Sequence, residues 1–318
     1  MTARGLAVAL TGVIFASVIG PAGAAELSIG KRSFAVTRFV EDPLVADELT
    51  LPSVLHIKRS AAAQHPPGRA TEVSAELMKM IAPNLGLAVA GNWIHLDRDG
   101  DSGVTGFDNA KVRLKYVFFA SEAHEAIASA GLGWEIGGTG RGAVGAQAFD
   151  VLNPAVFFGK GLGDLPDRLA LLKPVAITGE LGVELPTRAT SRIRSVDGGP
   201  ATTLQRNADR VRWGVVFEYN LAYLQSFVKD IALDTPFIEI VPLVEVALET
   251  ALDRGSGGRT TGTVNPGLAW QGDVLQVAVQ AVVPLNERTG RNLGVHASLT
   301  FFLDELVTRT LGRRASGH

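Results

Sequence analysis

Charged side chains occur at every second position in several stretches of this chain, and they are the residues that could act on an ion or a solute. In 107–120, for example, Lys111, Arg113 and Lys115 alternate with apolar residues. A period of two is that of a β-strand with one polar and one apolar face. Applied along the chain, this period predicts one set of residues that line a common interior surface, or lumen: Glu72, Glu76, Lys111, Arg113, Lys115, Glu135, Glu180, Glu184, Arg212, Glu218, Glu239, Glu245, Glu249 and His296.

The predicted lining set holds more carboxylates than cations, which leaves two interpretations open. In the first, the charges produce a local field in a pore that selects ions or polar solutes. In the second, carboxylates pair with guanidinium and ammonium groups and close the lumen. A β-barrel of moderate size, which is the fold predicted below, can have either kind of interior.

His296 and Ser298 raise the possibility of catalysis, because barrel-embedded phospholipases pair a His with a Ser two residues further on. Both side chains fall on the polar face of the predicted strand 292–303, away from lipid. A catalytic pair that acts on lipid needs the outer face. The pattern therefore favours polar lining residues, and we expect no enzymatic activity.

Four aspartates, Asp97, Asp99, Asp101 and Asp108, have a spacing similar to that of a calcium-binding loop. The sixth position holds Ser102 where the sharp turn of such a loop needs Gly, and the twelfth holds an Asp instead of a bidentate Glu. We therefore favour an exposed acidic hairpin loop, with no metal and no cofactor.

Arginines gather in and beside the segment 189–209, which is predicted to be the longest loop. They could bind an anionic lipopolysaccharide or an anionic solute, but a solvated basic loop is favoured. The cluster consists of Arg188, Arg192, Arg194, Arg206 and Arg210.

Composition excludes several classes of protein. Of 318 residues, 46% are hydrophobic and 19% are charged, with a net charge of -2, so nothing favours nucleic-acid binding. The absence of Cys excludes disulfides, Cys-ligated zinc, a Cys nucleophile and a lipoprotein anchor. Residues 1–24 are predicted to be a signal peptide, with Arg4, an apolar run over 5–20 and the small-residue site Ala22-Gly23-Ala24.

The elements that must position the charged residues are long strands. No later uncharged apolar run reaches the roughly 18–20 residues of a membrane helix, whereas several alternating runs exceed the roughly 9–11 residues of a membrane-spanning strand. We predict an all-β, transmembrane, antiparallel, up-and-down β-barrel of about 12 strands. The predicted strands are 53–60, 69–81, 85–96, 107–120, 125–137, 150–162, 173–188, 210–225, 235–252, 261–271, 274–286 and 292–303.

This barrel occupies 53–303 as one domain, and its predicted outer loops are on average longer than its inner turns, as in outer-membrane barrels. Two inner turns, 163–172 and 226–234, are long enough for a short helix. The acidic stretch 25–52 is predicted to be a periplasmic N-terminal segment or a small plug, and 304–318 a C-terminal tail. Aromatic residues predicted near strand ends suggest girdles at the membrane interfaces: Trp93, Trp134, Phe118, Phe158, Tyr223, Trp270 and Phe301.

The whole mature chain resembles a group of Gram-negative outer-membrane β-barrels of the porin or transporter kind, and five segments carry the resemblance. The segments are Asp42–Leu49, Gly133–Gly140, Phe157–Pro166, Val264–Gly267 and Leu299–Leu303. One departure is that many such barrels end on Phe, whereas 304–318 follows the last strand here. The resemblance implies an outer-membrane location, lipid as a partner, and a passive channel or transporter for small polar or amphipathic solutes. A structural or surface-interaction barrel with a closed lumen is the alternative; neither a solute nor an oligomeric state is specified.

Overall fold

A computed structural model describes residues 28–59, 68–98, 103–194, 202–253, 257–304 and 306. The described chain is almost entirely β-structure. In chain order the strands are β1 Ser28–Ile29, β2 Arg32–Ser33, β3 Glu48–Arg59, β4 Gly68–Ala82, β5 Leu85–Arg98, β6 Val104–Phe107, β7 Lys111–Ser121, β8 Ala126–Glu135, β9 Val151–Gly161, β10 Val175–Pro186, β11 Thr190–Arg194, β12 Thr202–Arg206, β13 Arg210–Tyr219, β14 Ile240–Ala251, β15 Arg259–Gln271, β16 Leu275–Pro284 and β17 Gly294–Phe302.

Antiparallel neighbours close into a barrel of 12 strands, with β6 and β7 forming one interrupted strand and β1–β2 and β11–β12 forming separate hairpins. The seam joins the first and last barrel strands: Val54 of β3 pairs with Ala297 of β17 and, on its other side, with Val73 of β4. Closure gives each of the described strands β3–β5, β7–β10 and β13–β17 a partner on both sides. A sheet in hydrocarbon requires this, because no water is present to bond free backbone groups. The predicted fold class is confirmed.

The outside of the barrel is apolar. Neighbouring residues of one strand differ sharply, since Leu181 is 54% exposed and Glu180 only 9%. Large apolar side chains exposed in this way on the barrel strands include Leu114, Tyr116, Phe118, Leu132, Trp134, Val156, Phe158, Trp213, Phe217, Leu268, Val279 and Val295. A surface with this composition is solvated by lipid, because an apolar area of this size facing water is costly.

The connections between strands are on average longer at one end of the barrel than at the other. At the turn end, where β3 begins and β17 ends, the connections are 83–84, 122–125, 162–174, 220–239 and 272–274. At the loop end, 136–150 and 187–209 are the longest connections. The predicted inner turn 163–172 contains a short 3-10 helix at Asp167–Leu172. The α-helix α1, Leu221–Phe227, begins inside the strand predicted over 210–225, and only its last two residues lie in the predicted turn 226–234. None of the helices in the described part of the chain is long and apolar enough to cross a membrane.

Some predicted boundaries are wrong. The strand predicted over 210–225 ends at Tyr219, because Asn220 caps α1 by accepting a hydrogen bond from the backbone N–H of Tyr223. Alternation continues into the helix by coincidence, and Tyr223 is buried in it instead of belonging to an aromatic girdle. The strand predicted from 235 begins at Ile240, after a 3-10 turn that contains Glu239.

Two further boundaries differ. The strand predicted over 107–120 is interrupted between Phe107 and Lys111, because the buried Asn109 bonds instead to Glu135 and to the backbone of the loop 136–150. The first barrel strand begins at Glu48 instead of residue 53.

Candidate functional site

The interior of the barrel contains a length of the chain itself. Residues 34–47, here called the N-terminal segment, follow the β1–β2 hairpin and precede β3 without regular secondary structure. Their hydrogen-bond partners lie on the inward faces of β3, β4, β7, β10, β13, β14 and β16. The segment therefore occupies the lumen that the alternating strands enclose.

Carboxylates of the barrel wall accept hydrogen bonds from the backbone of the N-terminal segment. Glu218 accepts from the N–H of Ala35 at 2.9 Å, and Glu180 accepts from that of Glu41 at 2.9 Å. One oxygen of Glu245 accepts from both Phe39 and Val40, at 2.8 and 2.7 Å. A carboxyl oxygen accepts each of these four bonds, and each donor is a backbone N–H of the segment.

Gln276 of β16 binds the same backbone through both ends of its amide. Its side-chain oxygen accepts from the N–H of Val36 at 3.0 Å, and its side-chain nitrogen donates to the carbonyl of Val36 at 2.8 Å. This is the pair of bonds that a neighbouring β-strand would make. We refer to Glu180, Glu218, Glu245 and Gln276 as the backbone receptor.

Glu245 is held in place by a buried chain of side chains. Its second oxygen accepts from Gln280 at 2.8 Å, and the amide oxygen of Gln280 lies 2.9 Å from Nδ1 of His296. Because that oxygen can only accept, His296 carries its proton on Nδ1, so in the neutral ring Nε2 accepts from the Ser53 hydroxyl, 3.0 Å away.

The chain of bonds begins and ends on the N-terminal segment. The guanidinium of Arg38 donates to Ser53 at 3.0 Å, and it also reaches Ser74 and Glu72. His296 is therefore a link between two parts of the barrel wall. Its two ring nitrogens bond to Ser53 and Gln280, and no described hydrogen bond joins it to Ser298.

Arg113 and Lys115 of β7 hold the segment from the opposite wall. Both form ion pairs with Glu41, and Lys115 also donates to the carbonyl oxygens of Asp42 and Leu44 at 2.9 and 3.1 Å. Burial raises the pKa of the Glu41 carboxyl, but the two cations outweigh it, so that the pKa of Glu41 lies below its ordinary value. Glu41 is thus a carboxylate at neutral pH, and the pairs remain charged.

A second attachment lies at the turn end. The fully buried Arg32 donates from Nε and Nη2 to Glu125, at 3.2 and 3.1 Å, and from Nη1 and Nη2 to the carbonyls of Pro174 and Lys173. Its guanidinium lies 4.0 Å from the centre of the Tyr223 ring. Glu125 has a φ of 46°, a left-handed conformation that is unusual for a residue with a side chain.

Glycines on the inward face of β9 make room for this attachment. A Cβ at Gly161 would lie 2.6 Å from Nε of Arg32 and would overlap the Glu125 carboxylate, and a Cβ at Gly159 would lie 2.8 Å from the Phe34 ring. Both belong to the Phe157–Pro166 stretch that carried part of the resemblance. Their spacing of two matches the strand period and fits the segment against the wall.

The N-terminal segment contacts both sides of the lumen but leaves part of it open. Phe34, Leu44 and Val45 pack with Val117, Ile127 and Ala176 of β7, β8 and β10. Ala35 and Val40 pack on the apolar wall of β13–β16, with Val216, Leu243 and Ala278 among their neighbours. On the other side a cavity of about 230 Å³ runs between the segment and the inward faces of β3–β10. Its lining includes charges of both signs and some apolar groups: Arg38, Phe39, Glu41, Glu76, Met78, Arg113, Phe157, Glu180 and Arg212. A polar cavity of about 210 Å³ lies towards the loop end, beside Glu135, Glu184 and Arg210.

The structure places the predicted lining residues in three groups. The first group contacts the N-terminal segment. Its members that bind the segment through hydrogen bonds or ion pairs are Glu72, Arg113, Lys115, Glu180, Arg212, Glu218 and Glu245, with Arg212 at 3.5 Å from the carbonyl of Phe39. The ring of His296 also belongs to this group, because it stands edge-on to the ring of Phe39. Glu76 lies 3.7 Å from Arg113; Lys111 pairs with Glu135; Glu184 pairs with Arg210 and Arg212, and Glu249 with Arg210. Glu239 stands apart in its 3-10 turn.

Several residues that bind the predicted lining residues were not themselves predicted to lie in the interior. They belong to the N-terminal segment and to the β1–β2 hairpin that precedes it. Arg32, Arg38 and Glu41 have no alternating neighbours that would have marked them as interior residues. Gln276 and Gln280 do lie on the polar face of an alternating strand, and a search that included amides would have found them.

Two other predicted features are only partly covered. Asp99 and Asp101 of the acidic loop lie outside the described residues, and the described residues contain no cluster of acidic or His side chains that could hold a metal. Arg188, Arg192 and Arg206 are exposed in and beside the β11–β12 hairpin at the loop end.

A closed antiparallel barrel with an apolar exterior and a polar interior is the fold of outer-membrane β-barrel proteins, and the chain is an outer-membrane protein of this class. Among solved structures, it is similar to an outer-membrane channel from Pseudomonas putida F1, at 10% identity and a TM-score of 0.53, over 85% of this chain and 99% of that one. The NanC porin is 9% identical, over 79% of this chain and 98% of that one (TM-score 0.45). The KdgM porin, solved with oligogalacturonate, is 10% identical over 78% and 98% (TM-score 0.41).

No protein-family model matches the chain, and no curated protein matches it in sequence. The resemblance to outer-membrane β-barrels is confirmed at the level of the fold.

Proposed function

We propose that this protein is a passive channel or transporter for small polar or amphipathic solutes, and that its N-terminal segment narrows the lumen. The observation that carries the proposal is the incomplete filling of the lumen. The segment packs on both sides of the barrel wall but leaves a cavity between itself and β3–β10 that is lined by charged and apolar groups. Such a lining suits solutes that carry both kinds of surface.

Apolar packing holds the ends of the segment, where Phe34, Leu44 and Val45 lie in a cluster with Val117, Ile127 and Ala176, and Ala35 and Val40 pack on the wall of β13–β16. The middle of the segment, residues 36–42, is otherwise joined to the wall mainly by hydrogen bonds and ion pairs. Contacts of this kind can be exchanged for contacts with water or with a solute, so that movement of the segment would widen the passage. Orientation follows the usual arrangement, with the turn end and both termini towards the periplasm.

A closed structural barrel is the second candidate, and one specific observation favours it. Arg38 reaches β3 and β4 while the adjacent backbone binds β14, so the segment bridges opposite walls. If these bridges never open, the ion pairs serve stability alone.

Single-channel conductance in a planar bilayer tests the proposal. We expect the purified full chain to give discrete openings, and Glu41→Gln to open more often because it removes the shared partner of Arg113 and Lys115. Glu287→Gln is the matched control, since Glu287 pairs only with the exposed Arg291 among its described contacts. Silence from folded wild type and folded Glu41→Gln alike would reject the channel and leave the closed barrel.

A further inference from the structure

We propose that the backbone receptor is a peptide-binding site, and that short peptides are a solute class of this barrel. The passage of peptides through the barrel rests on the proposed function, whereas the binding of peptides to the receptor does not. The N-terminal segment is, in chemical terms, a peptide ligand bound inside a protein, and its contacts define what the site recognises.

The first property of the site is that it recognises main-chain groups. Four side chains on β10, β13, β14 and β16 take up five backbone N–H groups and one carbonyl of residues 35–41. Inorganic ions or sugars do not offer a series of N–H donors at peptide spacing, whereas every peptide does. Backbone recognition of this kind gives affinity that depends little on sequence.

The second property is preorganisation. Gln280 and Asn265 both donate to one oxygen of Glu245, at 2.8 and 3.4 Å, and this leaves its other oxygen directed at the two N–H groups. Both of these donors lie on the barrel wall, Asn265 on β15 and Gln280 on β16, and His296 on the wall in turn bonds to Gln280. A rigid acceptor binds an incoming peptide without first reorganising.

The third property is selectivity at side chains. Ala35 and Val40 lie in a tight apolar surface, where a Cβ added at Gly214 would lie 2.5 Å from Val40. Arg38 enters a polar pocket formed by Ser53, Ser74 and Glu72. The favoured ligand is thus a short peptide with small apolar residues and an arginine between them.

The tethered segment competes with any free peptide at a high effective concentration, so wild type should bind free peptide weakly. The test uses a fluorescent synthetic peptide with the sequence of residues 33–44, added to the detergent-solubilised full chain and followed by fluorescence anisotropy. A scrambled peptide of the same composition measures non-specific binding.

Val40→Pro removes one N–H that Glu245 accepts, which weakens the resident segment while the receptor stays intact. We expect this variant to bind the free peptide roughly tenfold more tightly than wild type. Glu41→Gln, which loosens the segment through a side chain only, should act in the same direction and replaces Val40→Pro if that chain does not fold.

Adding Glu245→Gln to either variant should weaken peptide binding about tenfold or more, because an amide nitrogen would face the donors Gln280 and Asn265. Glu249→Gln is the control, since Glu249 lies on the same face of the same strand but pairs with Arg210. Binding no tighter than that of the scrambled peptide, or equal binding with Glu245→Gln, overturns the proposal. Specific binding together with a silent bilayer would instead keep the site and reject the channel.

Discussion

At the scale of single residues, packing inside this barrel depends on glycines, which have no side chain, as much as on the side chains that fill the lumen. Gly161 faces inward on β9, and the space that its Cβ would fill holds the contact between Arg32 and Glu125. Gly161→Ala should therefore lower the free energy of unfolding by roughly 1–3 kcal/mol, because the added methyl group must displace a buried ion pair.

Urea unfolding in detergent measures this change, and Gly91→Ala serves as the control because a Cβ at Gly91 meets nothing within 4 Å. Equal free energies of unfolding for the two variants would show that β9 accommodates the added methyl group without loss of stability.

Neighbouring residues of β10 should respond in opposite ways to substitution. Leu181→Arg places a charge on the lipid face and should destabilise the folded barrel by about 2–4 kcal/mol if the site lies near the membrane midplane. Glu180→Gln should still fold, because an amide oxygen can accept the hydrogen bond from Glu41 N–H in place of the carboxylate.

Heat-modifiable migration on a gel reports folding of the two β10 variants after insertion into lipid vesicles. If Leu181→Arg folds as well as Glu180→Gln, the outward assignment of Leu181 is wrong.

At the scale of elements, strand β7 is the strand that holds the N-terminal segment electrostatically. Replacement of Lys111, Arg113 and Lys115 together by Gln removes both ion pairs of Glu41 and the pair of Glu135. We expect larger single-channel conductance and a reversal potential shifted towards cation selectivity, since the remaining lumen charges are mostly carboxylates.

The control for the β7 variant is Arg210→Gln, which removes two ion pairs of the lumen wall but has no described contact with the segment. A β7 variant that folds and conducts like this control would contradict the role given to β7.

The sequence predicted the barrel strands well, but it did not indicate the partners of the N-terminal segment, for a physical reason. A strand such as β10 shows its environment locally, because each residue faces lipid or lumen in turn. Residues 34–47 have no period, and their partners lie far away in the sequence: Glu245 is 205 positions from Val40, and Gln276 is 240 positions from Val36. The helix α1 was missed for a related reason, since alternation in 211–223 continues past the cap at Asn220.

At the scale of the whole molecule, the predicted lumen carboxylates have a kind of partner that the strand period does not indicate. Glu180, Glu218 and Glu245 were expected to select solutes or to pair with wall cations. In the structure all three accept hydrogen bonds from a peptide backbone, and Glu180 also pairs with Arg212 of the wall. Among the described residues, pairs such as Arg212 with Glu180 and Lys111 with Glu135 match the simple picture of a self-neutralising wall.

The position of the segment just before β3 also constrains the order in which the molecule assembles. Strand β3 forms the seam with β17, and a lumen already closed there would have to be threaded by a segment that is tethered at Asp47. We therefore expect the segment to dock on the open sheet before the seam forms, so that closure is the final step of folding.

Because the chain has no Cys, two engineered pairs can time these events without interference. Val40→Cys with Gly214→Cys reports docking, and Val54→Cys with Ala297→Cys reports the seam. During refolding into vesicles the first crosslink should form no later than the second; the reverse order would mean that the barrel wall is completed first and its contents enter afterwards.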